Sequence, residues 1–318
     1  MKVAVVGAGF SGLAVCYHLL SKGVEVDLYE QKEIGGGASG VASGLLHPYA
    51  GEQVRRSWKA QEALEATKEL LTVAQRFSKD LVADFSGLLR QATPQQAAVF
   101  LEHSSRYKDV EPLSDTLFLI RSGIVVHSTF YLLGLFEASK ALGLTFIPQK
   151  VSSLEELHGY DAFVLALGNG VFSFKGIESK GLSRVKGQSL LCRWPSHLPL
   201  LERAFLAKGH IVPLPKDRLV YVGSTYERNV IDSQAEVPCE EVAKQLLWPR
   251  AKELVPELED LDIVKCKAGI RVSRPGFAVP WIKPVGEKGW MLTAMGSRGL
   301  LYHAYFAKML IDQMLFLS

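Results

Sequence analysis

The chain is poor in cysteine, with four residues in 318: Cys16, Cys192, Cys239 and Cys266. They are scattered, with no CxxC pair and no histidine at zinc-ligand spacing. Neither a disulfide framework nor a metal site is expected to organise the fold. Cys16, among apolar neighbours, reads as core. Long apolar runs are missing too, and without about eighteen consecutive apolar residues no membrane-spanning helix is expected. Lys2 and the apolar residues after it imitate a secretion signal, but Ser11, His18 and Glu25 interrupt the run and no small-residue cleavage site follows. The expectation is a reduced, cytoplasmic protein. Charge of one sign is also lacking: 36 Lys and Arg against 33 Asp and Glu leave +3, which neither demands nor excludes an anionic partner. The densest basic cluster, Arg55, Arg56 and Lys59, reads as a solvated helix face.

What the chain does have is concentrated in its first thirty residues. A buried strand, KVAVV, runs into Gly7-Ala8-Gly9-Phe10-Ser11-Gly12, which opens a helix, and a second strand, VEVDLYE, ends on Glu30. A dinucleotide site requires this order. Gly7 permits the tight turn, Gly9 lets backbone approach a pyrophosphate, and Gly12 lets the helix pack closely on the strand. The helix N-terminus offers N–H groups and a positive dipole end to phosphates, and Glu30 falls where a carboxylate meets ribose hydroxyls. A loop rich in small residues follows, Ile34-Gly35-Gly36-Gly37-Ala38-Ser39-Gly40, and continues to Leu45-Leu46-His47-Pro48. Residues without bulky Cβ branches let backbone N–H groups pass close to a ligand, so Gly37, Ala38 and Ser39 read as cofactor contacts.

At 318 residues the chain exceeds what one hydrophobic core usually serves, and two lobes are expected. Helical spacing is read over residues 52–78 and 130–142, and strands over 144–147 and 161–168. Residues 84–124 are short and irregular, with PLSDTLFLI as a strand. From about 176 to 267 strands alternate and turn often (KGQSLLCRW, HIVPLP, RLVYVGSTY), interrupted by one helix over 240–254. WMLTAMGSRGL then reverts to strand, glycine turn and helix. The fold class expected is α/β with an α+β substrate lobe: a Rossmann-like dinucleotide domain (residues 1–83, 125–175 and 268–318) with an antiparallel-sheet substrate domain inserted (84–124 and 176–267).

These pieces together resemble the FAD-dependent oxidoreductases of the D-amino-acid oxidase (DAO) superfamily. The resemblance rests on residues 7–12 with Glu30, the GGGASG loop, LALG ending at Gly168, VKGQ ending at Gln188, VGST ending at Thr225, AGIR ending at Arg271, and GSRGL over residues 296–300. They occur in the family's order across nearly the whole chain, and GSRGL is most similar to the oxidase domain of the family's tRNA-modifying branch. The resemblance implies FAD held by glycine-rich loops from both ends and the middle of the chain. Gln31, Val151, Ala166, Gly168, Gly296, Ser297, Arg298, Gly299 and Leu300 join the expected contacts. The GSRGL turn would face the pyrimidine edge of the flavin, where negative charge appears on reduction.

The same resemblance implies oxidation of a C–N bond by hydride transfer to flavin N5. A small-molecule amine carrying a carboxylate would be the substrate, and Arg271 the planar fork that clamps it. Arg274, three residues on, would point to the opposite face of a strand. His47 and Arg298 are further candidates at the flavin or substrate, whereas Tyr302 and His303 read as packing. The alternatives are a small amino acid such as glycine, sarcosine or a D-amino acid, and the glycine adduct on a modified tRNA wobble uridine. A flavin-binding protein without oxidase activity is a third, favoured only by Gly276-Phe277-Ala278 standing where many members place an acid. The methyltransferase domain often fused to the tRNA branch is not in this sequence, so a tRNA role would be that of a stand-alone oxidase.

Overall fold

The computed structural model describes residues 1–228, 230, 236–258 and 261–316. The first sheet has six strands, in the order β16 (Trp281–Val285), β17 (Gly289–Thr293), β10 (Ala162–Leu165), β1 (Lys2–Val6), β2 (Glu25–Tyr29) and β9 (Thr145–Ile147). All neighbours are parallel except the edge pair β16–β17. A parallel sheet buries both faces, and the alternation of side chains shows how. Val3 and Val5 of β1 join one apolar cluster, Ala4 and Val6 another. The first cluster includes residues of α1 (Phe10–Leu20), α2 (Ala60–Arg76), α4 (Ser128–Ala141) and α6 (Gly299–Phe316). Cys16 is fully buried there.

The second sheet has eight strands, ordered β15 (Asp262–Ser273), β11 (Ser183–Arg193), β14 (Leu219–Gly223), β13 (His210–Pro213), β12 (Ala204–Leu206), β5 (Leu88–Gln91), β7 (Leu117–Ile120) and β6 (Val110–Pro112). Its pairs are antiparallel except β5–β12, which join parallel and bring the early segment into the later sheet. Helix α5 (Glu240–Leu254) packs Ala243, Leu247, Ala251 and Leu254 into the apolar cluster of this sheet. A small third sheet, β3 (Leu45–Leu46), β8 (Ile124–Val126) and β4 (Ala83–Asp84), follows the glycine-rich loop. The architecture is the α/β fold that the sequence implies, with the expected antiparallel sheet made mixed by the parallel β5–β12 pair.

Three local expectations are corrected. The helix read over residues 52–78 begins only at Ala60. Before it Val54 and Lys59 have positive φ (44° and 50°), and Ser57 N–H is drawn back to the Pro48 carbonyl at 2.8 Å. The basic cluster there is not wholly solvated either. Arg56 is partly buried, ion-paired to Asp109 at 3.2 Å and 4.1 Å from the Tyr107 ring centroid. The irregular stretch 84–124 contains a helix, α3 (Pro94–Arg106), started by a reciprocal cap in which Thr93 Oγ1 accepts from Gln96 N–H while Gln96 Oε1 accepts from Thr93 N–H.

Candidate active site

A cavity of about 1250 Å³ runs between the two large sheets. One end is made by the turn after β1. Gly7 has φ +105°, and a Cβ on it would lie 2.4 Å from the Ala166 carbonyl oxygen; a Cβ on Gly12 would lie 1.8 Å from the Gly7 carbonyl oxygen. Both must therefore be glycine, and the start of α1 is pressed against the β1 and β10 turns. Gly9, the N-cap of α1, provides no side-chain cap. Glu30 is held at the cavity wall by two backbone donors, Ala8 N–H to Oε2 and Lys32 N–H to Oε1, each 2.9 Å. Ser39 Oγ accepts from Phe10 N–H at 3.1 Å, tying the glycine-rich loop to the helix start.

Of the residues assigned to the cofactor from sequence, Gly7, Gly9, Phe10, Ser11, Glu30, Gln31, Gly37, Ala38 and Ser39 line this cavity. So do Ala166, Gly168 and residues 296–300, with Arg298 among them. Gly12 and Val151 do not. Gly12 acts through packing, and Val151 is 7% exposed within the apolar cluster that includes Val6 and Leu165. A long groove of small residues, drawn from both ends and the middle of the chain, with a glycine N-cap at the helix start and a ribose-height carboxylate, fits a dinucleotide cofactor.

The other wall comes from the second sheet and carries Arg271. Its guanidinium donates to Ser224 Oγ at 2.8 Å and to the Thr225 carbonyl at 3.3 Å, and burial lowers its pKa. It occupies a slot above Gly187 of β11, where a Cβ would lie 2.4 Å from the guanidinium. Arg274 is elsewhere, stacked between Phe277 and Trp281 at 3.4 and 4.8 Å from their ring centroids. His47 lines the cavity and its Nδ1 accepts from Tyr49 N–H at 3.3 Å, which puts the ring proton on Nε2. Burial, then Arg90 and Arg298, push its pKa down to about 3. Arg298 donates to the Ala50 carbonyl at 3.1 Å. Tyr302 and His303 are buried structural groups: Tyr302 Oη donates to the Trp58 carbonyl, and His303 Nε2 lies 2.6 Å from Tyr131 Oη.

Two further cavity residues are marked by no spacing in the sequence. His210, at the start of β13, has its Nε2 buried without a partner, and burial with Arg271 and His47 nearby lowers its pKa to about 3. Arg90, on β5, is 8% exposed and meets Gln96 Oε1 at 3.2 Å. Each is brought in by sheet pairing. The Thr93–Pro94–Gln96 cap signal could have revealed the helix that supports Arg90, though not the role.

These features describe a flavin oxidoreductase of the two-sheet type, and the comparisons agree. The chain belongs to the DAO family of FAD dependent oxidoreductases, which it matches over residues 2–313. It is 28% identical over 293 residues to the tRNA 5-methylaminomethyl-2-thiouridine biosynthesis bifunctional protein MnmC of Campylobacter jejuni subsp. doylei, covering 85% of this chain but 44% of that protein. The chain thus spans less than half the length of the MnmC relatives it matches. It is 27% identical to a glycine oxidase of Bacillus licheniformis, covering 98% of this chain and 92% of the relative. In fold it resembles glycine oxidase from Geobacillus kaustophilus (TM-score 0.79, 19% identity, 99% and 95% of the two chains). Iminodiacetate oxidase from Chelativorans sp. BNC1 is similar in the same way (TM-score 0.81, 19% identity, 99% and 95%). Among the described residues no helix is long and apolar enough to cross a membrane, and no group of three or more His, Cys, Asp or Glu could hold a metal ion.

Proposed function

We propose that this protein oxidises the C–N bond of an amine that carries a carboxylate, a glycine-like group, with Arg271 as the carboxylate clamp. The observation that carries the reading is Arg271 itself: a half-buried guanidinium at the cavity wall, desolvated enough for its pKa to fall, whose hydrogen bonds run to neutral oxygens. A desolvated cation without a counter-charge is costly, and an anionic substrate group supplies one. Residues 7–11, Glu30, Gln31, 37–39, Ala166, Gly168 and 296–300 would hold FAD, with Gly12 and Val151 acting from behind. FAD, when bound, supplies the two-electron acceptor for the reaction. The substrate loses a hydride equivalent from carbon and a proton from nitrogen, and water hydrolyses the resulting imine.

The chain's part is to position the amine and keep it neutral. Arg271 fixes the carboxylate and so the orientation of the adjacent carbon. Arg90 and Arg298, lining the same cavity, add positive potential that disfavours an ammonium and lowers the amine pKa. His47 and His210, both uncharged at neutral pH, add no further charge; His47 offers Nε2–H as a donor. No strong base is needed for an amine that binds neutral.

A second reading makes the substrate the carboxymethylaminomethyl group of a tRNA wobble uridine, a glycine adduct that the same clamp would hold. Its support is the identity to MnmC together with the cavity's outer residues: exposed Lys208, Arg228 and Tyr226, with Arg228 5.5 Å from the Tyr226 ring centroid. Basic and aromatic groups at an entrance suit phosphate and base stacking. Anaerobic mixing of the holoenzyme with glycine, sarcosine and tRNA bearing the modification tests both readings. Bleaching by the tRNA alone selects the second; bleaching by the small amines with tRNA inert removes it; an oxidised flavin with all three, together with carboxylates that fail to perturb the flavin absorbance, overturns the clamp reading.

A further inference from the structure

Arg271 is not the only guanidinium in the cavity that lacks an acid. Arg90 is 8% exposed, its Nε is buried with no hydrogen-bond partner, and its remaining contact is to the neutral Gln96 amide oxygen. Arg298 repeats the pattern, with Nε buried and unpartnered and one bond to the Ala50 carbonyl. Among the described residues neither forms an ion pair. The two meet at one place. Both act electrostatically on His47, and both are tied to the same turn, Arg298 through Ala50 and Arg90 through Gln96, whose Nε2 donates to the Glu52 carbonyl at 2.8 Å. Arg271 acts instead on His210. The cavity therefore has two cationic poles, Arg90 with Arg298 at the turn of Ala50 and Glu52, and Arg271 at Ser224.

We propose that the substrate carries a second anionic group, held by Arg90 and Arg298, in addition to the carboxylate held by Arg271. The inference rests on the clamp reading for the first anion. The cofactor pyrophosphate does not account for the second pole. That group belongs at residues 7–11 beside the first sheet, whereas Arg90 projects from β5 of the second, paired with Leu206 of β12. A nucleic-acid backbone does not account for it either, because Arg90 is deeply buried while the exposed cations stand at the cavity's outer residues. The chemistry that fits is a compact dianion: an amine with a carboxylate on each arm, or an amino acid with an acidic side chain.

Binding of anions that cannot be oxidised tests this without turnover. The holoenzyme is titrated with acetate, malonate, succinate and glutarate, and the perturbation of the flavin absorbance is followed. At least one dicarboxylate is expected to bind tenfold or more tighter than acetate, about the gain from one additional charge-assisted hydrogen bond. Arg90→Met should remove that advantage while FAD stays bound, and Arg90→Lys, which keeps the charge and loses the fork, should retain part of it. Dicarboxylates no tighter than acetate in the unaltered enzyme overturn the proposal whether or not the variants fold. An undiminished preference in Arg90→Met, or loss of FAD from it, does the same. Acetate binding that depends on Arg271 with no dicarboxylate gain removes this inference alone; no binding of any carboxylate removes the clamp reading with it.

Discussion

Arg271 owes its place to a residue on the neighbouring strand. Val185 is its register partner on β11, and two residues along, Gly187 leaves open the space that the guanidinium fills. Arg271→Met keeps the bulk and removes the charge and the donors. FAD should remain bound while substrate-driven flavin reduction slows by about a hundredfold or more, the consequence of losing 2–5 kcal/mol when one partner of a desolvated charge pair is removed. Arg274→Met, which disturbs a stack on Phe277 and Trp281, should reduce the rate far less. Equal rates for wild type and Arg271→Met in stopped-flow reduction would make Arg271 structural. The arginines also set a pH dependence. Cationic neighbours lower the pKa of the bound amine, so the reduction rate should rise with pH and level off at a pH below the free amine's own pKa. A midpoint at or above the free value would show that the cavity does not act on the amine.

At the scale of elements, the turn into α1 is where small changes should have large effects. A Cβ on Gly9 would already lie 2.9 Å from Ser39 Oγ, and a branched side chain would fill the path of the pyrophosphate. Gly9→Val should purify colourless; full FAD occupancy would refute the assignment of this turn. Thr93→Ala removes the cap of α3 and should lower stability by about 1 kcal/mol, read as a drop of a few degrees in Tm. This region also marks the limit of what the sequence displays. The strand–turn–helix over residues 1–30 and helix α5 at 240–254 are legible because periodicity and glycine spacing are local signals. Residues 51–59 carry apolar spacing compatible with a helix, yet long-range bonds such as Arg56 to Asp109 hold them in turns. Arg90 and His210 carry no local signal for a related reason. They reach the cavity through the pairing of β5 with β12 and β12 with β13, and no spacing in the sequence records that topology. Arg271 is legible only through the resemblance of AGIR to a family motif.

For the molecule as a whole, four imidazoles that desolvation holds well below their ordinary pKa tie stability to pH. Burial is the leading cause in each: His18 and His303 fall to about 4, His47 and His210 to about 3, from an ordinary value of 6.5. Below pH 6.5 the unfolded chain takes up protons that the folded one refuses. Stability should be fully present above that pH, decline as the pH falls, and stop declining from this source once the folded values near 3 to 4 are passed. Denaturant midpoints at pH 7.5 and 5.0 measure it; identical midpoints would mean the imidazoles are not held neutral.

The first sheet takes β1 and β2 from the start of the chain and β16 and β17 from near its end, and α6 closes over α1. On a ribosome, the earliest strand must wait for the latest. At about 5–20 residues per second, the apolar face of α1 stays uncovered for tens of seconds before α6 emerges to meet it. The groove cannot close around FAD until then. Cofactor capture therefore waits for residues 281–316 to emerge, and a chain released before residue 299 would carry its nucleotide turn without the helix that packs against it.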